Sequence, residues 1–188
     1  MSSFVVHLLR HGSTEAEGRL IGRTDAAPLP EGIAACSARA RHVTGVDIVT
    51  SDLRRARAAA EAIGASRGAV PRVDARWREL NFGAWDGLAF DAIDGPAWAA
   101  FQADPAGGSP PEGERWPDLV ARVADALAAI DRPTLVVTHG GAMRAALAAT
   151  CAIDFPQLWN IALPHAALLT LRLWPGTPRV GQMIGLVT

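Results

Sequence analysis

The chain has 188 residues, a formal net charge of −1 and 49% hydrophobic residues, which suits a single soluble globular domain, 1–188, with a substantial core. Near-neutral charge gives no ground for a nucleic-acid partner held by bulk electrostatics, and no apolar run is long enough for a membrane span. All 18 basic residues are arginine, which removes any Schiff-base or P-loop lysine from the mechanism, and Cys36 and Cys151 fit neither a disulfide framework nor a metal spacing.

Residues 4–9 form an apolar run that reads as a buried strand, and it leads into Arg10, His11 and Gly12. A histidine and an arginine at a glycine turn suit a nucleophilic imidazole beside a fixed positive charge. The plainer alternative is a strand-end histidine with a surface arginine. Residues 30 to about 43 read as a helix opened by Pro30 and Glu31. Residues 47–51 form a short β-branched strand, and 53–63 an alanine-rich helix stopped by Gly64. On that helix Leu53, Ala56, Ala60 and Ile63 share a core-facing arc, while Arg54, Arg57 and Glu61 share a solvated one. Arg55 belongs to neither. It lies in the first turn, where the helix dipole favours an anion, so it is either a clamp for phosphate or carboxylate or an ordinary snorkelling arginine.

After a strand over 70–74, the segment 77–87 spaces tryptophans and glycines regularly and carries Glu79. A lone glutamate is usually a surface charge, but in a crevice with two arginines it is suited to protonate a departing alkoxide. Helical stretches reach Gln102, a polar, proline-rich loop covers 104–114, and 116–130 is a helix with Leu119, Val123, Leu127 and Ile130 at helical spacing. A strand over 134–138 ends in His139, Gly140 and Gly141; residues 141–151 are helical, and strands over 166–174 and 180–187 close the chain. Alternating strands and helices predict an α/β fold, a three-layer sandwich with a mostly parallel central sheet. In such sheets the ligand crevice lies beyond the carboxyl ends of the strands. His11, Ser51 with Arg55, and His139 each follow a strand, so they can converge although far apart in the chain.

Read together, four blocks resemble the signature of the histidine phosphatase, or phosphoglycerate mutase-like, superfamily over residues 5 to about 150. They are Arg10-His11-Gly12, Ser51-x-Leu53-x-Arg55-Ala56, Glu79-x-x-Phe82-Gly83-x-Trp85-x-Gly87 and Thr138-His139-Gly140-Gly141. The resemblance implies the fold of that family and its chemistry. His11 is then the residue that becomes phosphorylated, and Glu79 the proton donor. Arg10, Arg55 and His139 bind the phosphoryl group, with the Gly140 amide contributing to the same pocket. Neither cofactor nor metal is implied. The Gly22-Arg23-Thr24-Asp25 segment, the short span from Glu79 to His139 and Pro111-x-Gly113-Glu114 are most similar to bacterial α-ribazole phosphatases. Two positions depart from the family pattern: Glu17 stands where many relatives carry asparagine, and Ala59 where threonine is common.

The expected function is a phosphomonoesterase that works through phosphohistidine on a small phosphorylated metabolite, with α-ribazole phosphate a candidate. A phosphoglycerate mutase is the alternative, although mutases of the family carry a longer insertion between the acid and the second histidine. A non-catalytic module that binds a phosphorylated ligand is a further alternative, and the joint presence of His11, Glu79 and His139 speaks against it. A metal site shared by His7 and His11 is disfavoured, because four residues along a strand separate them by about 13 Å. A serine hydrolase would need a Gly-x-Ser-x-Gly elbow, which the chain lacks. The expected partner is the small phosphorylated substrate, with the oligomeric state open and a cytoplasmic location expected from the absence of a secretory pattern. Specificity is expected in residues 90–116, where Trp98, Phe101 and Trp116 either stack on a ligand or pack the core.

Overall fold

The computed structural model describes residues 2–188. Its strands are β1 (Phe4–Arg10), β2 (Asp47–Thr50), β3 (Arg72–Val73), β4 (Thr134–Thr138), β5 (Leu168–Trp174) and β6 (Val180–Val187). Its helices are α1 (Pro30–Ala40), α2 (Arg54–Ala65), α3 (Gly95–Ala103), α4 (Trp116–Ala128), α5 (Gly140–Cys151) and α6 (Phe155–Leu158). The strands form a six-stranded sheet in the order β3-β2-β4-β1-β5-β6. Strands β3, β2, β4 and β1 run parallel, and the closing pair β5 and β6 is antiparallel to its neighbours.

Side chains alternate along a strand, so adjacent residues of the central strands are covered by different helices. Leu8, Val136 and Leu169 join Leu119 and Val123 of α4 and Met143 and Leu147 of α5 in one buried cluster. Leu9, Leu135 and Val137 join Cys36 and Ala40 of α1 and Ala56, Ala60 and Ile63 of α2 in another. The three-layer sandwich follows from this division. Every residue of β4 is buried, as its position inside a covered parallel sheet requires. A satellite cluster gathers Leu20, Trp85 and Ile93 with Trp98 and Phe101, whose rings lie 5.7 Å and 5.6 Å from Trp85. Trp116 packs edge-on against Phe155 at 4.9 Å. All three aromatics of the expected specificity region therefore have packing partners.

Several boundaries differ from expectation: α1 ends at Ala40 rather than about 43, α2 runs through Gly64 to Ala65 instead of stopping at 63, and α4 ends at Ala128 rather than 130. Strand β3 is two residues long rather than five, because Val70 is exposed and Asp74 turns to accept the Arg76 N–H at the head of a 3₁₀ turn. Strand β5 begins at Leu168 rather than 166, since Ala166 has φ +58, outside the extended region. Helix α5 starts at Gly140, one residue early.

Register positions the site. Arg10 lies opposite Thr138 and Thr50 opposite Val137, so β1, β2 and β4 end level. His11, Ser51 and His139 therefore leave the sheet side by side.

Candidate active site

His11 is fixed through its backbone on both sides: its N–H donates to the Thr138 carbonyl (2.9 Å), and its carbonyl accepts from the Ala166 N–H (3.2 Å). Its Nδ1 lies 2.8 Å from the Gly12 carbonyl. A carbonyl only accepts, so Nδ1 carries the hydrogen and the neutral ring keeps a lone pair on Nε2. Glycine is required at 12, because a Cβ there would stand 2.1 Å from the Gly32 carbonyl oxygen of α1. His139 is fully buried, its ring 5.1 Å from that of His11, and neither of its ring nitrogens has a hydrogen-bond partner among the described residues. Burial, and after it the Arg55 guanidinium, holds both imidazoles well below their usual range, so both are neutral.

Two arginines supply the charge. Arg10 donates Nη1 to the Leu163 carbonyl at 2.5 Å. Arg55 is 1% exposed and donates Nη1 to Thr24 O and Nη2 to Gly22 O, each at 2.8 Å. The Nε of each is buried without a partner among the described residues. The loop that grips Arg55 is itself held by Asp86, whose carboxylate accepts from the amides of Gly22 (3.3 Å), Arg23 (2.6 Å) and Thr24 (2.8 Å). The Gly22-Arg23-Thr24-Asp25 block thus has a physical task, to aim the guanidinium of α2. Arg54 and Arg57 are exposed, as the helical arc predicts, and Arg57 pairs with Glu61 at 2.7 Å.

Glu79 reaches the same pocket from the segment before α3. Its Oε1 accepts from the Leu80 N–H (2.8 Å) and its Oε2 from the Gly141 N–H (2.9 Å), in the first turn of α5. A Cβ at 141 would stand 2.0 Å from Glu79 Oε1, so a glycine is needed there for the carboxylate to approach. Arg122 of α4 anchors this segment by donating to the carbonyls of Arg76 and Arg78 (2.8 Å each) and Glu79 (2.9 Å), while its fork pairs with Glu114 at 2.6 and 2.8 Å. Gly140 begins α5 beside Arg10, whose Nε lies 3.5 Å from the point a Gly140 Cβ would occupy.

All six sequence-predicted side chains and backbone groups, at Arg10, His11, Arg55, Glu79, His139 and Gly140, converge on this crevice. Two further residues join them. His165 places its ring 5.3 Å from that of His11, set by the left-handed turn at Ala166. Burial lowers its pKa and Arg10 adds to that, while the exposed Glu17 opposes them, so the departure at 17 faces His165 at the rim. Arg144 lies one helical turn after Gly140, and that spacing is the signal by which it was findable. For His165 the only signal is a histidine just before a strand. His7 is accounted for elsewhere, 3.1 Å from Thr170 Oγ1 on β5. Among the described residues no group of three or more His, Cys, Asp or Glu side chains is placed to hold a metal ion, and no helix is long and apolar enough to cross a membrane.

Buried neutral imidazoles make stability depend on pH. The folded-state pKa values of His11 and His139 lie below the ordinary 6.5, so below that pH the unfolded chain binds more protons than the folded one. Stability then falls as pH falls, by ~1.4 kcal/mol per pH unit for each histidine. A lower urea midpoint at about pH 5.5 than at about pH 7.5 is expected, with His139→Gln flattening the trend. A flat wild-type profile would contradict the burial of neutral rings.

A family model described as the histidine phosphatase superfamily (branch 1) matches residues 6–184. The glucosyl-3-phosphoglycerate phosphatase of Mycobacterium tuberculosis is 37% identical over 194 residues, spanning 90% of this chain and 86% of that protein. GpmB of Klebsiella pneumoniae, named as a phosphoglycerate mutase, is 33% identical over 153 residues, 73% of this chain and 70% of that one. The structure of a mycobacterial glucosyl-3-phosphoglycerate phosphatase complexed with inorganic phosphate is similar at a TM-score of 0.83 and 30% identity, covering 97% of this chain and 96% of the other. An Escherichia coli structure assigned as an α-ribazole-5'-P phosphatase has a TM-score of 0.85 at 20% identity, covering 100% and 97%, which is a likeness of fold.

Proposed function

The chain belongs to the histidine phosphatase superfamily (branch 1), and from that premise we propose that it hydrolyses small phosphomonoesters through a phosphohistidine at His11. The observation that carries this reading is the pair of neutral imidazoles 5.1 Å apart, one with Nδ1 tied to the Gly12 carbonyl and the other buried without a partner.

The phosphoryl dianion lies among Arg10, Arg55, His139 and the Gly140 N–H, donors that match the charge spread over the equatorial oxygens as transfer proceeds. His11 Nε2 attacks in line, forming the P–N bond as the ester P–O bond breaks. Glu79 gives its proton to the leaving alkoxide. As a carboxylate it then takes a proton from the water that attacks phosphohistidine, and orthophosphate and free His11 result. Incubation with p-nitrophenyl phosphate is expected to release phosphate and to label His11 with an acid-labile phosphoryl group; a label on another residue contradicts the assignment.

Arg55 is expected to be needed for both binding and transfer. Arg55→Leu removes the cation and frees the carbonyls of Gly22 and Thr24, and should lower kcat/KM by about a hundred- to a thousandfold. Arg55→Lys should recover little, because an ammonium cannot reproduce the fork. Activity within fivefold of wild type in Arg55→Leu would remove it from the site.

Within the phosphomonoesters, phosphoglycerate-type esters are our first reading, supported by the 37% identity to a glucosyl-3-phosphoglycerate phosphatase, whereas the relative named for α-ribazole phosphate is a likeness of fold at 20% identity. The similarity to GpmB supports the mutase as the second reading. Incubation with 3-phosphoglycerate separates them: a phosphatase releases inorganic phosphate, whereas a mutase yields 2-phosphoglycerate.

A further inference from the structure

Arg144 carries a charge that the reaction above does not use. Its guanidinium lies over the ring of Trp159, 4.3 Å from the centroid. Nη1 and Nη2 make only long bonds to the Gly140 and Ile161 carbonyls, at 3.4 and 3.2 Å, and the buried Nε finds no partner among the described residues. No carboxylate among the described residues stands within ion-pair distance. A half-buried cation in this condition is poorly satisfied by its own chain.

Its place gives that charge a use. The point a Gly140 Cβ would occupy is 3.4 Å from Arg144 Nη1 and 3.5 Å from Arg10 Nε, so the two guanidiniums flank one spot. Arg10 stands toward His11, and Arg144 stands toward the 159–165 rim, where Trp159 is 62% exposed. The phosphoryl group already has Arg10, Arg55 and His139. A further arginine that flanks Gly140 beside Arg10, acted on by Glu79 but in ion-pair contact with no carboxylate among the described residues, suits a second anion on the same ligand. Contact with the indole face restrains the guanidinium, whose planar fork suits a carboxylate.

Resting on the phosphatase reading, we propose that Arg144, seated on Trp159, is a specificity-determining residue that binds a carboxylate on the alcohol portion of the substrate. Phosphate esters of hydroxy acids are then the preferred class. A purely structural role, tying the 159–165 rim to α5, is the competing explanation, and it would act on all substrates alike.

The test compares 3-phosphoglycerate with glycerol 3-phosphate, which differ in having a carboxylate or a hydroxymethyl group. Wild-type chain is expected to favour 3-phosphoglycerate in kcat/KM by about tenfold or more, as one charge-assisted contact provides. In Arg144→Gln that ratio should fall toward one through a raised KM for the acid. Arg144→Lys should retain part of it, and Trp159→Leu, at an exposed position, should lower it by loosening the stack and serves where Arg144→Gln does not fold. A wild-type ratio near one, or equal losses on both esters in Arg144→Gln, overturns the proposal. Turnover of neither ester nor of p-nitrophenyl phosphate would instead sink the phosphatase reading beneath it.

Discussion

His11→Asn is expected to abolish turnover and phosphoenzyme formation together, a loss of at least about 10⁴-fold, because it removes the Nε2 lone pair that forms the P–N bond in the proposed reaction. Asparagine is the informative substitution. Its amide N–H can still donate to the Gly12 carbonyl, which now accepts from Nδ1 at 2.8 Å, so the turn is kept while the nucleophile is lost. Folding should not suffer, since His11 is a buried ring held neutral against its ordinary tendency to protonate. The variant is expected to unfold at a urea midpoint at least equal to that of wild type at about pH 5.5. Quenched-flow labelling with a radioactive phosphomonoester gives the check: covalent label persisting in His11→Asn, or residual activity above about one part in a hundred of wild type, would transfer the nucleophile to another residue.

Glu79→Gln should produce the second large effect, and its size should depend on the leaving group. An alkoxide needs a proton as it departs, so kcat/KM for an alkyl phosphate is expected to fall by about 10²- to 10⁴-fold. Nitrophenolate leaves without one, so phosphorylation by p-nitrophenyl phosphate should be largely spared. Dephosphorylation still lacks its base, and the phosphoenzyme should accumulate as a burst of nitrophenol followed by slow turnover. The substitution also has a structural consequence. Both Glu79 oxygens accept amide hydrogens, from Leu80 and Gly141, and glutamine keeps only one oxygen, so one amide faces an NH₂ instead. Equal losses on alkyl and aryl substrates would mean that this structural disturbance, and not proton transfer, accounts for the effect.

Much of the site is legible in the sequence because its parts are local. A strand running into Arg10-His11-Gly12 and another into His139-Gly140-Gly141 are short-range patterns, and both recur where the periodicity put them. The exclusion of Arg55 from both arcs of α2 is likewise a property of twelve consecutive residues, and its burial agrees with it. Element ends were less legible. Asp74 could have continued β3 or capped a turn, and the cap prevailed because a buried carboxylate there also meets Arg76 and Arg72. Nothing near Ala166 announces a left-handed residue, since alanine has no preference for that region.

Apolar periodicity and the four motif blocks were enough to establish the layered α/β plan and to nominate the reacting groups, since each depends on neighbours along the chain. Assembly was needed for the distances between them. The level ends of β1, β2 and β4 come from cross-strand register, and the aim of Arg55 comes from a loop gripped by Asp86 across more than sixty residues of chain. His165 and Arg144 enter the crevice only because the turn at Ala166 and the first turn of α5 are packed against β1. Such long-range contacts depend on the packed whole, and no window of sequence contains the energy that sets them.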